Sequence, residues 1–315
     1  MSEIVLAVDL GGTNLRMAAV DRQGKILFRT KRETPDAKRA EEIVELIIEE
    51  ARECQANLPE EEINFISIAV PATVNAEEGL ILKAPNLPAL NNFPIAGAIE
   101  KELKLKTILE NDANAAAIGE NWIGASKGFA NSICITLGTG VGGGIIIHGK
   151  ILRGVDGTAG EVGHICVEPF GVACGCGSRG CVEQYASATA VVRQAKELAR
   201  EFPASDLSAR YDLTSEDVYQ AGKTGDKLAI EVFRRQGFYL GIALAGLINV
   251  LNPEIIIFGG GASAGWDLFL PHLQAEIAAR AYAEPAKRAK LVRAELGDDA
   301  GILGAAKLAF ESLKS

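Results

Sequence analysis

Four side chains near the middle of the 315-residue sequence form a complete set of metal ligands: His164, Cys174, Cys176 and Cys181. One imidazole and three thiolates satisfy the tetrahedral preference of zinc, and Gly175, Gly177 and Gly180 supply the turns that let so short a loop wrap one ion. Four protein ligands leave no open position, so the spacing predicts a structural rather than a catalytic Zn2+; free thiols or a redox pair are the competing readings. Glu161 and Glu183 flank the cluster, one on each side. A glutamate is most often a solvated surface charge, yet a place against a rigid metal loop makes both candidates for accepting hydrogen bonds from a substrate's hydroxyls.

Three glycine-bearing turns are candidates for holding phosphate. In Asp9-Leu10-Gly11-Gly12-Thr13-Asn14 the glycines let the backbone approach a phosphate, Thr13 adds a hydroxyl donor, and Asp9 can hold Mg2+ through water. Residues 137–144 repeat the device with Gly138, Thr139 and Gly140. Gly259-Gly260-Gly261 follows a buried apolar run and precedes a helical stretch, which is where a ligand packs at the carboxyl end of a strand. Each turn alone reads equally as a plain hairpin or strand-to-helix connection. The recurrence of the first in the second half of the chain is what suggests a pair of loops clamping a triphosphate. Between a strand and a helix lies Glu110-Asn111-Asp112. An Asp there is a natural helix N-cap; it can equally point into a cleft and accept the proton of an attacking hydroxyl, the one general-base task that phosphoryl transfer from ATP requires, with Asn111 binding a hydroxyl beside it.

The elements that must position these residues follow from apolar periodicity. Strands are predicted over 4–8, 15–20 and 25–29, a helix over 38–56, a strand over 65–70, and a loop-rich segment over 71–94 that contains a short strand at 80–82. Helix 95–103, strand 107–110 and helix 112–121 follow. From Ser132 the order restarts: strand 133–137, a glycine turn at 138–144, strand 144–148 and a short strand near Ile151. Helices at 186–202, 214–222 and 226–250, strand 255–258, helix 266–282, strand 291–296 and helix 300–313 complete the chain, with 203–213 as an exposed loop. The expected architecture is α/β, two lobes with a duplicated β-meander-plus-helix core, residues 1–121 and 122–315, the last helix placed to pack back on the first lobe.

Composition narrows the function classes. Hydrophobic residues make up 48% and charged residues 23% of the chain, the balance of a globular protein with a large core. A formal charge of −9 offers no basic field for nucleic acid or an anionic membrane, so no partner of either kind is expected. The start of the chain lacks the basic opening of a signal peptide, and the longest apolar run, 240–251, has only 12 residues, too few to span a bilayer. A cytoplasmic protein is therefore expected, and Cys54, Cys134 and Cys166 read as small buried hydrophobes.

On these residues the sequence resembles the ROK family (repressors, open reading frames, kinases), and within it the bacterial glucokinases. Asp9-Leu10-Gly11-Gly12-Thr13 is similar to that family's first phosphate loop and Leu137-Gly138-Thr139-Gly140 to its second. Glu161-Val162-Gly163-His164, followed by Cys174-Gly175-Cys176-Gly177-Ser178-Arg179-Gly180-Cys181-Val182-Glu183, is similar to its zinc signature. The resemblance implies an actin-like, hexokinase-type ATPase fold closing over a hexose and MgATP, with phosphorylation of the 6-hydroxyl of glucose. It implies sugar contacts from Asn111, Asp112, Glu161, His164 and Glu183, with His164 shared between zinc and sugar, and a homodimer or homotetramer. The chain departs from the pattern at 69–75, where Ala72 follows Pro71 in place of the usual Gly, and after Asn86-Leu87-Pro88, where the usual Gly-Trp is absent. Both segments border the sugar in this reading, Asn86 among them. Kinases for N-acetylhexosamine, mannose, fructose or allose, and polyphosphate as donor, stay open. A sugar-responsive repressor is disfavoured by the lack of room for a helix-turn-helix before residue 9 and by the acidic charge; a non-catalytic sugar sensor is disfavoured by Asp9, Asp112 and Thr139.

Overall fold

Strict alternation along the first strand, β1 (Ile4–Leu10), sends Ile4, Leu6, Val8 and Leu10 to one face of a sheet and Val5 and Ala7 to the other. Both faces are buried, in two separate apolar clusters. The computed structural model describes residues 3–313, so the extreme residues of the two expected lobes lie outside it. After β1 come β2 (Asn14–Asp21), β3 (Ile26–Glu33), α1 (Ala40–Ala56), β4 (Ile63–Val70), β5 (Thr73–Asn75), β6 (Leu80–Lys83), α2 (Ile95–Leu103), β7 (Lys106–Asn111) and α3 (Asp112–Trp122). The first sheet has the order β3-β2-β1-β4-β7, antiparallel along the β1–β2–β3 meander and parallel from β1 through β4 to β7. Apolar residues of α1 and α2, Ile43, Ile47, Ile95 and Ile99 among them, cover one face. Ala115 of α3 and the last helix, α10 (Ala300–Ser312), cover the other through Ile302, Leu303, Ala306 and Phe310. Each fully buried Ile or Leu in such a layer contributes roughly 1.5–3 kcal/mol.

The remaining elements are β8 (Ser132–Leu137), β9 (Val141–Ile147), β10 (Lys150–Ile151), the single turn α4 (Glu183–Ala186), α5 (Ala188–Leu198), α6 (Ser215–Lys223), α7 (Lys227–Leu251), β11 (Ile255–Gly259), α8 (Trp266–Arg280), α9 (Ala283–Arg288) and β12 (Lys290–Arg293). The second sheet, β10-β9-β8-β11-β12, repeats the order of the first, with three chain-consecutive strands followed by two added in parallel. The chain forms two compact units. One takes the chain up to Gly128, Gly144–Gly160 and the chain from Glu295 onward; the other takes Phe129–Gly143 and Glu161–Ala294. Among the described residues no helix is long and apolar enough to cross a membrane.

Several element ends differ from expectation for identifiable reasons. The glycine turn expected over 138–144 closes by Gly140, and β9 starts at Val141. Within the strand, Gly144 has no room for a side chain, because a Cβ there would lie 2.7 Å from the carbonyl oxygen of Ala113. The strand expected over 291–296 ends at Arg293 because the backbone N–H groups of Glu295 and Leu296 go to the buried carboxylate of Glu120. The helix expected over 266–282 breaks at Ala281, whose extended backbone separates α8 from α9. Within the expected loop 203–213 a 3-10 turn, Asp206–Ala209, buries Leu207.

Candidate functional site

The parallel strands of the first sheet deliver their polar residues to one end. Asp9 on β1 lies in register with Ala69 on β4, and Ala69 with Glu110 on β7, so Asp9, Val70 and Asn111 sit at or near the carboxyl ends of three adjacent strands. The turn between β1 and β2 is fixed by the Gly11 N–H donating to the Asn14 carbonyl at 2.8 Å. Thr34 clamps it from the side, its hydroxyl donating to the Gly11 carbonyl at 2.7 Å and its N–H to the Thr13 carbonyl at 2.9 Å. Gly12 and Thr13 are exposed, and a Cβ on Gly12 would come within 3.2 Å of the Asn86 Cβ, so the structure brings Asn86 beside this turn.

Burial pushes the Asp9 carboxyl up to about 6; Arg16 works against this, while the charges of Asp112 and Asp298 add to it. Arg16, which sequence reasoning missed, lies opposite Asp9 in the β-ladder, 3.6 Å from its carboxylate, and also binds Asp298 at 2.9 Å. Asp112 opens α3. The helix cap, the alternative reading of Asp112 to a base, belongs to Asn111, whose Oδ1 accepts from the N–H groups of Ala113 (2.9 Å) and Asn114 (3.1 Å). Asn111 Nδ2 donates one of its two hydrogens to the Ala72 carbonyl at 3.3 Å, so the side chain is fixed in place while its second N–H can still meet a hydroxyl. Asp112 Oδ1 accepts from the Ala113 N–H at 2.9 Å, and the residue is half-buried.

The second unit gathers the other candidates. Gly138–Gly140 and Gly259–Gly261 leave the carboxyl ends of the neighbouring parallel strands β8 and β11, with Gly259 paired to Thr136. Gly260 has a φ of 80°, and a Cβ there would lie 2.4 Å from the Leu137 carbonyl oxygen, so only glycine brings these two turns so close. The Ala188 N–H and Thr189 hydroxyl, at the start of α5, donate to the carbonyls of Gly138 and Thr139.

His164, Cys174, Cys176 and Cys181 place one ligand atom each within 4.8 Å of one another. His164 Nδ1 is 3.7 Å from Cys174 Sγ, and Cys176 Sγ is 3.7 Å from Cys181 Sγ, far beyond a disulfide bond of about 2.05 Å. The edge of a tetrahedron built on zinc–sulfur bonds of about 2.3 Å is about 3.8 Å, so the donor set fits that ion. Around it, Gln184 Nε2 donates to Cys174 Sγ at 3.6 Å, and Glu161 stands 4.0 Å from His164 Nε2. Glu183 has one carboxylate oxygen 3.8 Å from Cys174 Sγ, while the other accepts from the Val141 N–H at 3.2 Å. One glutamate thus connects the cysteine cluster with the end of the 138–140 turn, a link with no signal in the sequence.

The sequence matches the ROK family over residues 5–312. The chain belongs to the ROK family. This ROK protein is 40% identical over 308 residues to a glucokinase of Halalkalibacterium halodurans, covering 95% of this chain and 92% of the relative. A solved ROK family glucokinase from Streptomyces griseus, in complex with glucose and AMPPNP, has a TM-score of 0.82 and 35% identity, covering 98% of this chain and 99% of that one. A ROK family transcriptional regulator homologous to the E. coli MLC protein has a TM-score of 0.91 and 29% identity, covering 99% of this chain and 79% of that one. The mixed α/β architecture is accordingly the ROK kinase fold.

Proposed function

We propose that this ROK protein is an ATP-dependent glucose kinase that transfers the γ-phosphoryl group of MgATP to the 6-hydroxyl of glucose, giving glucose 6-phosphate and ADP. The observation that carries the mechanism is the geometry of Asp112. It stands at the carboxyl end of the parallel strands of the first sheet, close enough to Asp9 to raise that carboxyl's pKa, on a helix that another residue caps. Its carboxylate can accept the hydroxyl proton as the phosphoryl group arrives. The substrate class rests on the glucokinase relatives and on the glucose and AMPPNP bound by the Streptomyces griseus protein.

In this reading the fold is the two-lobed, actin-like, hexokinase-type ATPase. Asp9, Gly11, Gly12, Thr13 and Asn14 form the first phosphate loop, with Asp9 holding Mg2+ through water, and Gly138, Thr139 and Gly140 form the second. Gly259, Gly260 and Gly261 lie against the nucleoside. Asn86, Asn111, Glu161, His164 and Glu183 contact the sugar. His164, Cys174, Cys176 and Cys181 hold Zn2+, which, with four protein ligands, fixes the loop carrying Glu161 and Glu183 and performs no step. A second reading, a sugar-responsive regulator, is favoured by the TM-score of 0.91 to the transcriptional regulator, and turnover separates the two. A coupled ADP-release assay across glucose, mannose, fructose, allose and the N-acetylhexosamines, with ATP and with polyphosphate, should give the highest kcat/KM for glucose with ATP. Preference for another pair would replace the substrate assignment; absence of turnover with all of them would favour the regulator.

A further inference from the structure

Next to Asp112 in the chain lies a buried carboxylate, ion-paired to a half-exposed arginine, that neither the phosphate loops nor the sugar contacts use. Glu110, the penultimate residue of β7, is 1% exposed. Its Oε1 accepts from the Asn111 N–H and from Asn114 Nδ2, both at 3.0 Å. Its Oε2 accepts from Arg153 Nε at 2.9 Å and Nη2 at 2.7 Å. Asn111 and Asn114 bracket Asp112 in the first turn of α3, so a single carboxylate oxygen holds the chain on both sides of the base. Arg153 in turn is fixed by its own loop. Its carbonyl accepts from the Ala159 N–H at 3.0 Å, and Gly157, with a φ of 84°, packs so close that a Cβ would lie 2.7 Å from the Val74 carbonyl oxygen.

We propose that Glu110, braced by Arg153, is a positioning residue that sets the direction of the Asp112 carboxylate. The proposal rests on Asp112 as the base under the proposed function. A carboxylate this buried needs its partners whether or not it serves catalysis, and a purely structural pair would produce the same contacts. The two roles separate in how Glu110 couples to Asp112. A carboxylate that acts through the base has no effect left to exert once the base is gone, whereas loss of packing lowers the rate by the same factor in any background.

The test is a double-mutant cycle on the full chain with glucose and MgATP. Glu110→Gln should lower kcat about 10–100-fold, the size of effect that displacing a reacting group by about 1 Å produces, with both KM values within about threefold of wild type. Added to Asp112→Asn, the same change should alter the residual rate by less than about twofold. An equal loss in both backgrounds, or a wild-type kcat in folded Glu110→Gln, would overturn the positioning role. If Glu110→Gln does not fold, Arg153 tests the same role from the half-exposed side of the pair. Arg153→Met should lose kcat to the extent expected for Glu110→Gln, and Arg153→Lys, which keeps the charge but not the two-pronged donor, should lose less; wild-type kcat in Arg153→Met would overturn the proposal. Asp112→Asn alone reports on the base, so failure of that assignment is visible separately from failure of this one.

Discussion

Asp9 stays partly protonated near pH 6 in the unliganded fold, chiefly because burial penalises its charge. Its folded pKa of about 6 lies above its ordinary 3.8, so between these values the folded chain binds more protons than the unfolded one. The stability Asp9 contributes is therefore fully present below pH 3.8 and lost as pH rises through about 6, leaving the ionised form about 3 kcal/mol less favourable in the fold at neutral pH. Asp9→Asn should accordingly melt higher than wild type at pH 8 without ligands, the gap closing as pH falls below 6, while turnover with MgATP is lost; calorimetric scans across pH would show it. A lower melting temperature at pH 8 would mean that the contact with Arg16 outweighs burial. Asp9 could be singled out from the sequence because an acidic residue before Gly-Gly-Thr is a candidate neighbour for phosphate. Arg16 was not, because its signal is register: Leu10 pairs with Leu15 across the turn, and only then does Asp9 face Arg16. Glu110 was hidden for a similar reason, since Arg153 lies 43 residues away and nothing local marks the pair. That His164, Cys174, Cys176 and Cys181 come together was plain because three of the four fall within one short glycine-rich loop.

At the scale of elements, α3 and α10 meet backbone to backbone. A Cβ at Gly304 would lie 1.7 Å from the Ala115 carbonyl oxygen, and one at Gly119 would lie 2.3 Å from that of Ala300. Gly304→Ala gains about 1 kcal/mol of helix propensity but forces the helices apart, and overpacking of this kind costs roughly 1–3 kcal/mol or more, so the clash should win. Because α3 also carries Asp112, kcat should fall along with the urea midpoint. Gly246→Ala in α7 is the control: nothing lies within 4 Å of its Cβ position, and the variant should be more stable by about 0.5–1 kcal/mol. Equal urea midpoints for the two variants would contradict this account of the contact. Most elements were legible from apolar period, α2 to the residue and α1 within two. What escaped was short or set by distant partners. The three residues of β5 and the single turn of α4 carry no period, and the end of β12 is decided by Glu120, far away in the chain.

At the scale of the whole molecule, the repeated strand order of the two sheets was legible as a repeated pattern of strand, glycine turn and strand. The assembly of the second unit from separate stretches was beyond local reading, because it depends on which distant segments touch. The candidate metal loop belongs to this scale because His164, Cys174, Cys176 and Cys181 could together hold one ion within the second unit, with Glu161 and Glu183 flanking them on both sides in sequence. Purified protein should contain one zinc per chain by elemental mass spectrometry. Cys176→Ala should lose the metal and lower the melting temperature; full zinc retention in that variant would remove Cys176 from the ligand set. The most direct measurement is the turnover of glucose and MgATP by Asp112→Asn. Asn111 keeps the helix cap in that variant, so fold, zinc content and glucose binding should persist while kcat falls by about 10²–10⁴. A folded, glucose-binding variant with kcat near wild type would contradict Asp112 as the base, and with it the mechanism proposed for this chain.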